Sequence, residues 1–226
     1  MLDVLSRLKR RWRDGPAGNP PTLSPAEGYR RWAPAYGVEP NAFQRLEAEV
    51  LERLLPELRG QAVLDLGCGR GRIAALAVAD DAARVVATDL SLAMLAGSPA
   101  SAEHVQRLAS ALPALPFRPA SFDTVVCALV LGHVADLGAA LAAIAAVLRP
   151  GGCLVLSDFH PSASLRGWER TFVDPESGRS FAIEHHLHLL ADYQTAFRDQ
   201  GLRLEALEEP TWEGTPVAFV MRARKE

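Results

Sequence analysis

Three glycines at alternate positions, Gly67, Gly69 and Gly71, lie in the segment VLDLGCGRGR (63–72), directly after a short apolar run. Glycine permits left-handed backbone and close approach to a ligand. A strand-to-helix turn built this way presents bare N–H groups to a polar ligand end. Asp65, two residues before the first glycine, can hold a carboxylate at the same mouth to balance a cationic group. Asp89 ends the next apolar run, VVATDL, where a carboxylate can accept both hydroxyls of a ribose. The dinucleotide fingerprint needs a glycine at the position of Arg72, and a bulky side chain there argues against a nicotinamide cofactor. Proton chemistry has its own candidates: His133 past the fourth apolar strand, and Asp158 with His160 past the fifth. Histidine is the natural base near neutral pH. The plainer readings are a structural loop for His133 and a His-Pro turn for His160.

These residues need elements to hold them. PNAFQRLEAEVLERLLPELR (40–59) carries an apolar stripe at helical spacing, and QAVLDLG (61–67) reads as a strand that breaks into the glycines. RIAALAVADD then reads as helix, ARVVATDL (83–90) as strand, SLAMLAGS as helix and EHVQRLAS (103–110) as a weaker strand. SFDTVVCALVL (121–131) predicts a buried strand, DLGAALAAIAAVLRPGG a helix closed by Pro150-Gly151-Gly152, and CLVLSDF another buried strand. Near-continuous apolar strands alternating with helices predict a parallel sheet covered on both faces, with ligands at the strands' carboxyl ends. RTFVDPESGRSFAIEH predicts a hairpin within an insertion at 160–189, and ADYQTAFRDQG a helix with a glycine stop. GLRLEALEEP and TPVAFVMRAR are two strands on a short link, which demands a reversed strand at the sheet's end.

Composition narrows the class. The chain has 226 residues, 49% apolar and 23% charged, with a net charge of −3, which fits one globular domain with an appendage and not a disordered chain. Cys68, Cys127 and Cys153 form no CxxC pair, which argues against a disulfide framework, a cysteine zinc site or an iron–sulfur cluster and suggests a reducing cytoplasm. The charge is unevenly divided. Residues 1–14 hold Arg7, Lys9, Arg10, Arg11 and Arg13 against Asp3 and Asp14, a net +3 that leaves the rest at −6. An acidic body is a poor partner for nucleic acid. The leader spaces Met1, Leu5, Leu8 and Trp12 at helical intervals, so it is either a helix making weak contact with an anionic membrane surface or an ordinary docked helix. Residues 15–25, GPAGNPPTLSP, read as a flexible connector.

Taken together, VLDLGCGRG, ATDLS, LPFRPASFDTVVCALVLGHV and LRPGGCLVLSD resemble the class I S-adenosylmethionine-dependent methyltransferases, in their small-molecule "type 11" group. The resemblance covers residues 60–160 and the antiparallel ending. It implies a Rossmann-like doubly wound sheet of seven strands in the order 3-2-1-4-5-7-6, mostly parallel, with a hairpin insertion after the fifth. It implies S-adenosyl-L-methionine as cofactor, with Asp65, Gly67, Cys68, Gly69 and Gly71 around the methionine moiety, Asp89 on the ribose, Leu90 against the adenine and Ala128 beside them. The family commonly has an acidic residue before LPF to meet the adenine amine. SALPALPF offers Ser110 and Ala111 instead, leaving backbone near Ala111 and Leu112 for that role.

On that resemblance the domain spans 26–226, with residues 26–59 as an N-terminal lid and 160–189 facing the acceptor, a small organic molecule methylated at oxygen or carbon. GYRRWAPAY (28–36) resembles the lid of the quinone-biosynthesis and malonyl-carrier members, and Tyr29, Trp32 and Tyr36 can flank a sulfonium through cation–π contact or simply pack beneath the lid. Arg166 and Arg170 can hold an anionic acceptor group or be solvated. In IEHHLH, His186 shares a strand face with His188 and Glu184. His185, His186 and His188 without a fixed fourth ligand favour surface or acceptor-cleft histidines over a metal. A nicotinamide-dependent oxidoreductase and a non-catalytic binder on the same fold are the alternatives.

Overall fold

The computed structural model describes residues 20–38, 42–98 and 104–226. The basic segment 1–14 and its expected surface helix lie outside them. In chain order the elements are β1 (Thr22–Leu23), α1 (Pro25–Trp32), α2 (Ala42–Leu54), β2 (Ala62–Leu66), α3 (Arg72–Ala79), β3 (Arg84–Asp89), α4 (Leu92–Ala96), β4 (Val105–Ala109) and β5 (Phe122–Ala128). They continue with α5 (Leu137–Val147), β6 (Leu148–Phe159), α6 (Pro161–Leu165), β7 (Thr171–Val173), β8 (Ser180–Ile183), α7 (Leu190–Asp199), β9 (Leu202–Glu208), β10 (Thr211–Trp212), β11 (Thr215–Pro216) and β12 (Ala218–Lys225).

Every residue of β2 is buried, as a strand covered on both faces must be. It lies near the middle of a seven-stranded sheet ordered β4-β3-β2-β5-β6-β12-β9. Counted within this sheet, that is the expected 3-2-1-4-5-7-6. β12 runs antiparallel to both of its neighbours. On one face Leu64, Leu131, Leu141, Ile144, Tyr193 and Phe197 pack under α5 and α7. On the other, α2 and α3 cover Val126, Val155 and Val220 through Leu51 and Ile73. The chain leaves β2 in one direction and enters β5 from the other, so the crevice between their carboxyl ends is the switch point where such sheets bind ligands.

Three boundaries differ from the sequence reading. The expected connector contains β1, which pairs in parallel with β8 of the insertion, so a three-stranded sheet β1-β8-β7 ties the segment before α1 to the insertion. Ladder bonds supplied by β8 override the local flexibility of a Gly/Pro-rich stretch. The fourth strand stops at Ala128: Leu129 takes a left-handed φ of 61° and donates its N–H to Ser157 O at 2.8 Å, and a 3-10 turn follows over Leu131–His133. The helix before β6 ends at Val147, and the chain through Pro150-Gly151-Gly152 extends as the start of β6, with Leu148 against Phe122.

Helix α1 begins at Ser24, whose hydroxyl accepts from Glu27 N–H, with Pro25 pre-set for the first turn. It rests on the small sheet, where a Cβ on Gly28 would lie 2.9 Å from Ile183 and Trp32 stacks on Phe172 at 5.3 Å. No helix of the described residues is long and apolar enough to cross a membrane.

Candidate active site at the switch point

The glycine loop forms one wall. Gly67 has φ 70°, and a Cβ there would fall 2.2 Å from Val130 Cγ2, so no other residue fits without moving β5's exit. Asp89 locks the loop from the end of β3. Its Oδ2 accepts Gly69 N–H and its Oδ1 accepts Ser91 N–H, both at 2.8 Å. Burial raises its pKa, and the backbone N–H groups oppose the rise. Cys68 is buried with its N–H on Thr88 O, and burial holds its thiol protonated. Asp65 departs from expectation. Rather than standing in the mouth, its Oδ2 is engaged beneath the loop by Ala74 N–H at 2.9 Å, in the first turn of α3, and burial pushes its carboxyl up to about 7. A carboxylate there favours the positive end of a helix.

Around this wall, Leu90 and Leu92 are exposed beside Asp89, an apolar rim open to solvent. Ser110 donates its N–H to Asp89 O at 3.2 Å, while its hydroxyl is buried with no protein partner. Ala111 bridges to Ala114, Leu112 packs on the core, and Ala128 ends β5 opposite Ser157. Arg72 turns to Glu47 of α2 at 2.8 Å. That fully buried carboxylate also accepts Ser157 Oγ at 2.6 Å. The apolar stripe of α2 gives no sign of this clamp, which fastens α2 to α3 and β6.

The facing wall is a circuit of side chains. His133 Nδ1 lies 2.7 Å from Glu184 O, and a carbonyl can only accept, so Nδ1 carries the hydrogen and Nε2 is bare. Nε2 meets Tyr29 Oη at 2.9 Å and Arg170 Nη1 at 2.5 Å. Arg170 Nη1 also reaches Tyr29 Oη at 2.9 Å and Leu129 O at 2.7 Å, a carbonyl aimed inward by the left-handed turn at that residue. Nη2 bonds Asp158 Oδ1 at 3.1 Å, and the guanidinium lies 4.7 Å over the Phe159 ring. Burial, with the Arg170 charge beside it, lowers His133 to about 2, and burial raises the Tyr29 phenol. Both are neutral at physiological pH.

Of the sequence candidates, Tyr29, His133, Asp158 and Arg170 come together. Asp158 lies within β6, not past it. Its oxygens are taken by Gly132 N–H, Phe159 N–H and Arg170, which makes it an anchor and not an available base. His160 stands apart. It caps α6 through Ser162 and meets Glu209 at 2.7 Å, because the chain has already turned away past the end of β6. Tyr36 is brought to the glycine loop, with its ring 3.3 Å from where a Gly69 Cβ would be, and Arg70 holds it there by donating to Tyr36 O and Gly97 O. Trp32 lies between Tyr29 and Phe172. His186 joins only by its backbone, donating to Gly132 O at 2.7 Å. Its neighbour His185 is the one whose ring covers Gly132, 5.9 Å from Phe159 and 6.1 Å from His133. One position of register decides which of two adjacent histidines faces inward, and no strand alternation runs through that stretch to reveal it. Among the described residues, no three His, Cys, Asp or Glu side chains group as a metal site.

Residues 64–156 match the family model described as a methyltransferase domain. The chain is 35% identical over 164 residues to a malonyl-[acyl-carrier protein] O-methyltransferase of Pseudescherichia vulneris, covering 70% of this chain and 62% of that protein. It is also 35% identical over 161 residues to a ubiquinone biosynthesis O-methyltransferase of Xanthomonas euvesicatoria pv. vesicatoria (strain 85-10), covering 69% of this chain and 59% of that one. The chain thus spans about three-fifths of these relatives' length. A solved S-adenosylmethionine-dependent methyltransferase from Mesorhizobium loti superposes with a TM-score of 0.69 at 25% identity, over 80% of this chain and 98% of that one.

Proposed function

We propose that the protein transfers the methyl group of S-adenosylmethionine to oxygen or carbon of a small organic acceptor, a reading supported by the match of residues 64–156 to a methyltransferase domain. The observation that carries this reading is the pairing of a left-handed, side-chain-free Gly67 with the Asp89 carboxylate locked onto Gly69 N–H. The residues present fit the donor. The partnerless hydroxyl of Ser110 beside Asp89 supplies a buried polar group for the adenine edge, where the family commonly has a carboxylate. Asp89 keeps lone pairs for ribose hydroxyls, and Leu90 and Leu92 line the rim.

When bound, the donor supplies a methyl group made electrophilic by a sulfonium centre. The chain's own residues position the acceptor and exclude water. Tyr29 and Tyr36 offer ring faces on the lid side, and the Arg70 bonds hold that lid against the glycine loop. Tyr29 Oη donates to His133 Nε2 while accepting from Arg170, so its direction is set before an acceptor arrives.

The test is calorimetry with S-adenosylhomocysteine. Micromolar binding is expected, and Asp89→Ala is expected to weaken it tenfold or more by removing charge-assisted hydrogen bonds worth roughly 1.5–3 kcal/mol. Unchanged affinity in that variant sinks the assignment. Binding of NAD in place of S-adenosylhomocysteine would support the oxidoreductase alternative, and binding without turnover over a broad acceptor panel the non-catalytic one. We assign residues 1–14 a weak contact with anionic membranes. Equal sedimentation with anionic vesicles, with and without that segment, removes it.

A further inference from the structure

A narrow pocket opens between the lid and the sheet, walled by Tyr29, Trp32, Tyr36, Phe43 and Phe159, with Arg170 as its buried polar member. Arg170 is only 8% exposed. Its Nη1 and Nη2 have partners in Tyr29, Leu129, His133 and Asp158, but its Nε–H is buried and has none. A buried guanidinium N–H left without an acceptor is costly, and the planar fork suits an anionic oxygen. Resting on the methyl-transfer reading above, we propose that the acceptor is a carboxylic acid in its ionised form, with its carboxylate drawn to Arg170 and methylated there to the ester.

The arrangement around Arg170 favours a carboxylate over a neutral hydroxyl. A phenol or alcohol must lose a proton as it is methylated, and a carboxylate is ionised already near neutrality. No histidine lines this pocket; His185, whose buried Nδ1 has no partner, lies outside its lining. His133 Nδ1 carries a hydrogen held by a carbonyl, and its Nε2 already faces Tyr29 O–H and Arg170 N–H. The oxygens of Asp158 are taken by two backbone N–H groups and Arg170. Burial lowers His133 far below neutrality, in keeping with this. The carboxylate that does line the pocket, Glu169, is exposed. In the transfer, a bond forms between a carboxylate oxygen and the methyl carbon as the methyl–sulfur bond breaks, its electron pair remaining on sulfur. The products are a methyl ester and a neutral thioether, and no proton is released. Both charges of the reacting pair disappear, which the aromatic walls favour by excluding water.

The experiment gives the full-length chain and S-adenosylmethionine two acceptor panels of matched shape: arylacetic and medium-chain carboxylic acids, and the corresponding phenols and alcohols. Product is assayed as methanol released by alkali, and proton release is followed in weak buffer. The expected result is alkali-labile product from the acids with no proton released per methyl transferred. Arg170→Lys is expected to raise the acceptor KM about tenfold, by loss of the planar fork, with S-adenosylhomocysteine affinity within about twofold of wild type. Alkali-stable product, or one proton per methyl, overturns the proposal while leaving methyl transfer intact. Donor-product binding with no ester from any acid overturns it equally. Loss of S-adenosylhomocysteine binding by the wild-type chain overturns the methyltransferase reading itself. The ester and proton measurements use the wild-type chain, so they hold whether or not the variant folds.

Discussion

The two walls of the crevice are built by different means. On the glycine-loop wall, for which we propose the donor, the decisive contacts join residues 9 and 20 positions apart, Asp65 to Ala74 and Asp89 to Gly69, and backbone N–H groups donate. On the facing wall, for which we propose the acceptor, they join side chains far apart: Tyr29 to His133 across 104 positions, and Tyr29 to Arg170 across 141. A backbone cradle depends on a few dihedral angles and tolerates variety around it. A side-chain circuit holds only if the lid, β5, β6 and the insertion all arrive in register.

This contrast sets what should happen when each wall is damaged. The largest loss is expected from Asp158→Ala, which leaves the Arg170 charge buried and unpaired. It should cost about 3–5 kcal/mol in denaturant unfolding. The folded fraction should still bind S-adenosylhomocysteine nearly as well as wild type, because the donor wall does not use this residue. Equal loss on both walls would show that they are one unit. Gly67→Ala should do the reverse, abolishing measurable donor-product binding at a stability cost of about 2–3 kcal/mol from the Val130 overlap and left-handed strain. Gly178→Ala serves as control. It has a similar φ of 69° with open space around it, so about 1 kcal/mol is expected.

Smaller effects come from pH, and the two walls should respond with opposite signs. His133 has a folded pKa lowered to about 2. The unfolded chain therefore binds a proton that the folded chain refuses, and stability present above pH 6.5 declines as pH falls. Relative to His133→Asn, wild type should lose about 2 kcal/mol by pH 5. Asp65 is raised to about 7, so its contribution is intact below its unfolded value of 3.8 and is lost as pH rises towards 7. Asp65→Asn should remove that decline and steepen the rise of stability with pH between 4 and 7. Parallel slopes in the two variants would erase the distinction. Tyr29→Phe should have the least effect on folding, about 1 kcal/mol for one buried hydroxyl, with its main consequence in acceptor turnover.

What could be read from the residues follows the same division. Strand order, the reversed final strand, the glycine turn and Asp89 all lie in contiguous runs whose period and punctuation state their place in the fold. His160 stands away from the crevice because it is one residue past the strand end, and Pro161 takes the chain into α6. His185 and not His186 faces inward because no strand, and so no period of two, runs through residues 184–189. β1 was hidden because a two-residue strand in a Gly/Pro-rich stretch has no signal of its own, only a partner in β8.

By itself, the sequence determined the sheet, the switch point and the glycine loop beside it. Alternating apolar periods and three glycines constrain the local backbone directly, and the topology rules do the rest. Only the tertiary structure decided which titratable groups share the acceptor pocket and in what protonation state. Those depend on burial and on distances of about 3 Å between side chains carried by four separate elements. The lone pair of His133, the bonded oxygens of Asp158 and the partnerless Nε–H of Arg170 are properties of that assembly, and none of them belongs to any one segment of the chain.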